Sequence, residues 1–192
     1  MILTKKFSKT IILSSKYEKV EVLRPKSLKL LLKIIKQKKC KNVLEIGTGL
    51  GYSAFMMLKK TKIQNITTIE KDPNRFLIAQ KNLSKFKHKI TLINKDCFDY
   101  IPNEKFDLIF IDGPKKNQIE LINKYKAYLN NKGVIYIDNI FLNKFRQLSN
   151  QIENQKKILK SIDDLVLWIK TQTEFKFRFH NIEDGIAILY NE

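Results

Sequence analysis

The feature that most constrains the fold of this 192-residue chain is a regular alternation of short apolar runs with longer amphipathic segments. Runs rich in Val, Ile, Leu and Phe favour strands buried on both faces of a parallel sheet, and the segments between them have helical spacing. Such runs occur at residues 43–46, 66–70, 90–93, 106–111, 134–137, 175–179 and 185–190. The sequence therefore predicts an α/β fold with seven strands, the last two of them an antiparallel pair at the sheet edge.

Helices are predicted between these strands from their start signals and apolar spacing. Pro25 precedes an amphipathic segment, and Asp72 followed by Pro73 is typical of a helix start with Asp as the N-cap. Ser161 and Asp164 are interpreted as a capping pair. Further helices are expected at residues 52–60, 119–129 and 144–172. We interpret residues 1–192 as one domain, with an N-terminal helical segment over 1–40 and a core over 41–192.

Composition favours a cytoplasmic globular protein. The chain is 43% hydrophobic, and no apolar window approaches the ~18 residues that a membrane span needs. Near the N-terminus only three apolar residues follow the first lysines, fewer than a signal peptide requires. Cys40 and Cys97 form neither a disulfide framework nor a metal-binding pair, so we expect two buried free thiols.

The first predicted strand enters a turn with glycines at alternate positions, Gly47, Gly49 and Gly51. Such a turn lets a ligand approach the backbone, but Tyr52 breaks the spacing of dinucleotide-binding turns. Glu45 places a carboxylate at the strand end, where it would repel a pyrophosphate and attract an ammonium group. This combination suits the methionine part of S-adenosylmethionine (SAM), while an ordinary glycine-rich turn is the alternative.

Acidic residues follow the next two predicted strands. Glu70 ends the second strand nineteen positions after Gly51, where carboxylates of such folds bind ribose hydroxyls. Asp96 and Cys97 follow the third strand at the place expected for adenine contacts. A solvated acid at a strand end is the alternative interpretation of Glu70, and the combination with the glycine turn favours an adenosyl ligand.

A second constellation ends the fourth and fifth predicted strands. Asp112 and Lys115 follow the fourth strand, and Asp138 and Asn139 follow the fifth. Because adjacent parallel strands lie about 4.8 Å apart and ligands bind at their carboxyl ends, these oxygen donors are expected to converge. Two carboxylates and one amide oxygen suit Mg²⁺. Turn formation, which Asp, Asn and Gly favour, is the alternative.

The net charge of +18 raises the expectation of a polyanionic partner such as RNA. Only four of the 37 basic residues are arginine, which is typical of an AT-rich genome, yet exchanging Arg for Lys leaves the charge unchanged. Nine lysines precede the first three strands, at the edge opposite the predicted ligand site: Lys38, Lys39, Lys41, Lys59, Lys60, Lys62, Lys85, Lys87 and Lys89. Better candidates for RNA contacts near the site are Lys115, Lys116, Lys144 and Arg146.

Together these segments resemble the metal-dependent O-methyltransferases, the family of catechol and caffeoyl-CoA O-methyltransferases and their bacterial relatives. The resemblance covers residues 23–189 and rests on 43–53, Glu70, 106–115 and 133–139. It implies a Rossmann-like, seven-stranded, mostly parallel sheet with helices on both faces and an antiparallel last strand. It also implies a homodimer.

The resemblance further implies roles for individual residues. The glycines and Ser53 match the site for the cofactor carboxylate, Glu70 matches the ribose ligand, and Lys115 falls where a general base has been proposed. The implied metal ligands are Asp112, Asp138 and Asn139, and Asp184 with Gly185 matches a recurring pair before the last strand. The implied reaction is in-line attack of a metal-held hydroxyl on the SAM methyl group.

The acceptor is the least constrained part of this prediction. The chain departs from the family at Lys95 and Leu142, and residues 141–179, which help to form the acceptor pocket, match poorly. Several bacterial relatives methylate 5-hydroxyuridine at the tRNA wobble position, which agrees with the basic charge. A catechol-like O-methyltransferase and a non-catalytic RNA-binding protein are the two alternatives.

Overall fold

The computed structural model describes residues 9–14, 16, 18, 20–147 and 152–191, with the side chains of Lys144 and Phe145 outside the description. Its strands are β1 (Asn42–Ile46), β2 (Asn65–Glu70), β3 (Ile90–Asn94), β4 (Phe106–Ile111), β5 (Leu129–Asp138), β6 (Lys176–His180) and β7 (Ile186–Tyr190). Its helices are α1 (Pro25–Gln37), α2 (Tyr52–Lys60), α3 (Pro73–Leu83), α4 (Gln118–Tyr125), α5 (Asn143–Arg146) and α6 (Glu153–Thr171). Residues 9–14 are also helical.

All seven strands form one sheet in the order β3-β2-β1-β4-β5-β7-β6. Strands β1 to β5 pair in parallel, whereas β7 is antiparallel to both of its neighbours, β5 and β6. The predicted mostly parallel sheet with an antiparallel last strand is thus confirmed. Strand order reverses between β1 and β4, and in open α/β sheets such a switch point opens a crevice at the carboxyl ends of the strands.

Two hydrophobic cores lie on opposite faces of the sheet, because successive side chains of a strand point to opposite sides. Leu108 and Phe110 of β4 join the core under α1, α2 and α3. Ile109 and Ile111 of the same strand join the core under α4 and α6. The prediction of helices on both faces is therefore confirmed.

Differences from the predicted elements are confined to polar stretches. Strand β5 begins at Leu129 rather than at residue 134, and its pairing with β4 is irregular between Phe106 and Leu108. The predicted helix over 144–172 is divided into α5 and α6, and residues 148–151 lie outside the described residues. Ser161 and Asp164 lie inside α6, so their assignment as a capping pair was wrong.

Several predictions from composition can also be compared with the structure. Cys40 and Cys97 are buried free thiols, as predicted, and burial raises the pKa of Cys40 to about 12 and that of Cys97 to about 11. In the described part of the chain, no helix has both the length and the apolar character to cross a membrane. Helices over 9–14 and Pro25–Gln37 agree with the predicted N-terminal helical segment, while the division into segments stays a prediction.

Asp72 is the predicted N-cap of α3, and its carboxylate accepts hydrogen bonds from the backbone N–H groups of Asn74 and Arg75 at 2.8 and 3.1 Å. We expect Asp72→Ala to lower the free energy of unfolding by about 0.5–2 kcal/mol, because these N–H groups lose their acceptor. Urea denaturation measures the change. Asp99→Ala, at an exposed position, is the control, and an equal loss in both variants would contradict the capping role.

Candidate functional site

A cavity of about 620 Å³ opens at the carboxyl ends of the strands, where the strand order reverses. Its volume is within the usual range for small-molecule sites. Ten of the twelve residues predicted for the site line it: Gly47, Gly49, Ser53, Glu70, Asp96, Cys97, Asp112, Lys115, Asp138 and Asn139. Glu45 and Gly51 do not line it. The structure thus brings nearly all of the predicted site into one cavity.

The glycine turn forms one wall of this cavity. Gly47 has a φ of +100°, and a side chain at this position would overlap the backbone carbonyl of Asp112. Its N–H donates to the carbonyl of Ile69 at 3.0 Å, and the N–H of Asp112 donates to the carbonyl of Ile46 at 2.9 Å. The turn is therefore joined to both neighbouring strands, and only glycine fits at position 47.

Gly51 has a structural role at the start of α2. It is the N-cap of α2 with a φ of +85°, and a Cβ atom at this position would lie 2.7 Å from Leu83 of α3. The missing side chain lets these two helices pack closely. Gly51 itself does not line the cavity, and its contact with a cofactor stays a prediction.

Glu45 likewise lies behind the wall, fully buried. Its two carboxylate oxygens accept hydrogen bonds from Ser53 Oγ and Thr68 Oγ1, each at 2.5 Å. Burial raises the pKa of Glu45 to about 7, although these two hydrogen bonds act in the opposite direction. Ser53, which lines the cavity, separates Glu45 from it, so the attraction of Glu45 for a cofactor ammonium group stays a prediction.

Glu70 connects the glycine turn to α3. One of its oxygens accepts from the N–H of Gly49 at 2.8 Å, and the other accepts from the N–H of Asp72 at 3.0 Å. A carboxylate has about four acceptor positions, so two remain for hydroxyl groups in the cavity. The arrangement is compatible with the predicted ribose contact, and it also fixes the side chain in place.

Asp96 and Cys97 line the cavity next to Glu70. The Asp96 carboxylate pairs with the Lys71 ammonium at 2.7 Å and accepts from the N–H of Phe98 at 3.0 Å. The ion pair with Lys71, followed by this hydrogen bond, lowers the pKa of Asp96. The carbonyl of Cys97 accepts from the hydroxyl of Tyr125 at 2.7 Å, which joins this turn to the end of α4.

The carboxyl ends of β4 and β5 bring the predicted metal ligands to the same cavity. Ile111 pairs with Ile137 in register, so Asp112 and Asp138 follow at adjacent positions. Burial, followed by the charge of Asp112, raises the pKa of Asp138 to about 7. Burial also raises the pKa of Asp112. Asn139 completes the edge with a φ of +61°, a left-handed conformation that Asn adopts more readily than most other residues.

The donor set at this edge fits a hard divalent cation. In the described part of the chain, no group of three or more His, Cys, Asp or Glu side chains is placed to hold a metal ion. The candidate centre therefore consists of the two carboxylates of Asp112 and Asp138 with the amide oxygen of Asn139. Mg²⁺ binds through one or two carboxylates and retains open positions, and a cation would relieve the repulsion between the buried carboxylate of Asp138 and the partly buried one of Asp112.

Lys115 lies beside both aspartates. Its Nζ is 3.5 Å from Asp112 Oδ1 and 3.3 Å from the carbonyl oxygen of Asp138. The side chain lines the cavity and is largely shielded from solvent, with 21% of its surface exposed. This position next to the candidate metal ligands agrees with the predicted general base.

Arg24 is a cavity residue that the sequence analysis missed. Its guanidinium forms an ion pair with the buried carboxylate of Asp184, and it lines the cavity on the side of the N-terminal segment. The carbonyl of Asp184 accepts from the N–H groups of Phe141 and Leu142, at 2.8 and 3.1 Å. The Asp184–Gly185 turn thus holds both Arg24 and the loop after Asn139. The recurring Asp–Gly pair was the only sequence signal for this arrangement.

The basic residues predicted near the site differ in their placement. Lys115 and Lys116 line the cavity. Arg146 lies outside its wall and pairs with Asp163 of α6. The side chain of Lys144 is not described. Besides Arg24, three further basic residues in the wall were not predicted as contacts: Lys71, Arg75 and Lys95.

Comparison with known proteins identifies the family of this chain. Residues 3–191 match the O-methyltransferase family. The chain belongs to this family. A catechol O-methyltransferase from Niastella koreensis is 30% identical over 110 residues, which cover 52% of this chain and 49% of the relative. A tRNA1(Val) (adenine(37)-N6)-methyltransferase from a Flavobacteriaceae bacterium is 37% identical over 76 residues, 38% of this chain and 33% of the relative.

These matches span about a third to a half of the length of the curated relatives. Solved structures with a similar fold align with almost the whole length of this O-methyltransferase. A Staphylococcus aureus protein provisionally named a caffeoyl-CoA O-methyltransferase has a TM-score of 0.88 at 24% identity, covering 96% of this chain and 92% of its own. The Bacillus cereus O-methyltransferase, solved in complex with SAH, has a TM-score of 0.82 at 16% identity, covering 97% and 91%. These likenesses show that this chain has the methyltransferase fold.

The buried Glu45 generates a prediction for the pH dependence of stability. Its pKa of about 7 lies above the ordinary value of 4.5, so the folded state holds this proton more tightly than the unfolded state. The resulting stabilisation is fully present below about pH 4.5 and is lost as the pH rises through about 7. Over this pH interval the free energy of unfolding of the wild type should fall. We expect the fall in Glu45→Gln to be smaller by on the order of 1–3 kcal/mol.

Urea denaturation at several pH values, with a chelator present, measures this difference. Asp138 titrates in the same interval in both proteins, so the slope is reduced rather than abolished. Glu120→Gln, at an exposed position, is the control and should retain the wild-type slope. Equal slopes for the wild type and Glu45→Gln would show that burial does not hold the Glu45 proton.

Proposed function

We propose that this family member is a SAM-dependent O-methyltransferase that methylates a hydroxyl group with the assistance of a divalent metal, most favourably Mg²⁺. One observation carries the proposal: Asp112, Asp138 and Asn139 line the same cavity as the glycine turn and Glu70. The acidic edge suits a metal and a hydroxyl, and the glycine wall suits an adenosyl ligand. Membership of the O-methyltransferase family supports the same reaction.

The glycine turn and the residues beside it would bind SAM in two ways. They allow SAM to approach the main chain closely, and they offer hydrogen-bond acceptors that are fixed in place. SAM, when bound, supplies a methyl group on a positively charged sulfur. Gly47 and Gly49 allow the cofactor to approach the main chain, and Ser53 offers lone pairs to its ammonium group because its proton is donated to Glu45. Glu70 accepts hydrogen bonds from the ribose hydroxyls. Asp96 and Cys97 lie where the adenine ring is expected.

The acidic edge would position the acceptor. Asp112, Asp138 and Asn139 would hold the metal, which supplies Lewis acidity that favours ionisation of the acceptor hydroxyl. Lys115 lies beside Asp112 and the carbonyl of Asp138 and, as the neutral amine, would take the hydroxyl proton at Nζ. Asp112 has a second role, because its carbonyl contacts Gly47 and thereby ties the acceptor edge to the cofactor wall. Holding both reactants in line accounts for much of the expected rate gain.

We propose 5-hydroxyuridine at the wobble position of tRNA as the acceptor. The net charge of +18 suits a polyanionic substrate, and Lys115, Lys116 and Arg24 lie in the cavity wall. A catechol-like small phenol is the second candidate, favoured by the similarity to the Niastella koreensis catechol O-methyltransferase. The proposed setting is the cytoplasm, and the proposed assembly is a homodimer.

A methyl-transfer assay distinguishes these functions. The protein is incubated with methyl-labelled SAM, Mg²⁺, and either hypomodified tRNA containing 5-hydroxyuridine or a panel of small phenols. We expect label in tRNA, with methylated 5-hydroxyuridine after digestion to nucleosides. Label in phenols at low ionic strength, with none in tRNA, would favour the second candidate. Salt-sensitive RNA binding without transfer to any acceptor would indicate a non-catalytic RNA-binding protein.

The metal assignment predicts a specific defect in Asp138→Ala. We expect methyl transfer to fall at least about a hundredfold, because Lewis acidity is worth several kcal/mol, while SAM affinity is unchanged. Calorimetry measures SAM binding, and electron paramagnetic resonance with Mn²⁺ measures the metal independently of activity. Asp164→Ala, on the exposed surface of α6, is the control. Wild-type transfer and Mn²⁺ affinity in Asp138→Ala would remove the metal assignment.

A further inference from the structure

Positive charge is distributed very unevenly along this chain. Residues 26–95 contain 17 Lys and Arg against three acidic residues, Glu45, Glu70 and Asp72, an excess of 14. The other residues contain 20 basic and 16 acidic side chains, an excess of only four. A general drift toward lysine codons would raise the basic content throughout. The asymmetry therefore needs an explanation at one part of the structure.

The basic segment forms one half of the molecule. Residues 26–95 build most of α1 and all of α2, α3 and β1 to β3, so they occupy the β3-β2-β1 side of the sheet. None of the three acidic residues of this half is fully exposed. Glu45 and Glu70 are buried, and Asp72 is engaged in capping α3. The charged side chains that residues 26–95 themselves expose are therefore almost all cationic.

Six exposed cations of this half form what we term the basic track. Two of the six, Arg75 and Lys95, line the cavity. The other four lie at the C-terminal end of α3 and in the segment between α3 and the edge strand β3. The 11-residue helix α3 spans about 16 Å. The track therefore runs from the edge of the sheet where the parallel strands end to the edge where they begin. Its residues are Arg75, Lys95, Lys81, Lys85, Lys87 and Lys89. None of them forms an ion pair with another described residue.

Helix electrostatics do not account for this track. A cation near a helix C-terminus is favourable, which explains Lys81 at the end of α3. Arg75, however, lies in the first turn of α3, where the helix dipole disfavours a positive charge. It is nevertheless exposed and lines the cavity. A cation at an unfavourable position beside the cavity suggests that it is retained for an anionic ligand.

We infer that the basic track binds the phosphates of an RNA strand that enters the cavity with its acceptor nucleotide. This inference rests on the proposed function, since it requires an RNA acceptor. A chain of phosphates can contact cations over about 16 Å while one nucleotide is turned into the cavity. An anionic membrane is disfavoured, because stable binding of a helix to its surface combines basic charge with an apolar face. Leu77 is the one strongly exposed large apolar residue on α3.

A charge-matched pair of variants tests the track. Lys81→Gln, Lys85→Gln and Lys89→Gln are combined in one protein, all outside the cavity wall. The control combines Lys156→Gln, Lys160→Gln and Lys170→Gln, which remove the same charge from exposed positions on α6. Binding of a fluorescent tRNA transcript is measured by anisotropy at several salt concentrations. Calorimetry with SAM and thermal unfolding verify that both proteins are folded.

We expect the track variant to bind tRNA at least about tenfold more weakly than the wild type, and the control to stay within about twofold. The slope of log affinity against log salt should fall by about two in the track variant, since each lost phosphate contact removes about 0.7–0.9. Equal weakening in both variants would mean that only net charge matters and would overturn the track. Wild-type tRNA binding in the track variant, or track-dependent binding to phosphatidylserine vesicles without tRNA binding, would overturn it as well.

The track and the proposed function can fail separately. Track-dependent tRNA binding without methyl transfer to tRNA would keep the RNA surface and remove tRNA as the methyl acceptor. Methyl transfer to tRNA by a track variant that binds it as tightly as the wild type would keep the activity and remove the surface.

Discussion

The site depends on the contact between the backbone of Gly47 and the carbonyl of Asp112, across the neighbouring strands β1 and β4. No side chain fits at position 47, because a Cβ atom would overlap that carbonyl. The N–H of Asp112 donates to the carbonyl of Ile46 and closes the same junction. The wall proposed for the methyl donor and the edge proposed for the acceptor are therefore one rigid unit, which suits a reaction that depends on alignment.

Buried carboxylates are the second constraint on this molecule. Glu45, Asp112 and Asp138 all have raised pKa values, chiefly because burial disfavours their charged forms. Glu45 is satisfied by two hydroxyl donors, whereas the two aspartates face each other's charge with Lys115 beside them. A fold selected for stability alone would avoid such a pair, since uncompensated buried charge is costly. The pair is consistent with a site that receives an additional cation.

Sequence reasoning succeeded where a pattern had one physical interpretation. Strand β4 was predicted with its observed limits, because 106–111 is an apolar run that only a buried strand explains. The start of β5 was missed because residues 129–133 are mostly polar and their pairing is irregular. Glu45 was expected to face the cofactor because its position along the chain fits, but its side chain is fully buried and does not line the cavity. Position along a chain does not give the direction in which a side chain points.

The sequence by itself determined the order of the elements and the positions of Glu70, Asp112 and Asp138 at strand ends, because parallel strands place all their carboxyl ends at one edge. Only the tertiary structure decided that Arg24 and Asp184, 160 positions apart, form an ion pair in the cavity wall. It alone also gathered six cations from α3, the segment before β3 and the segment after it into one basic track. Contacts of this kind depend on how helices and turns pack on the sheet, and local sequence patterns carry no information on that packing.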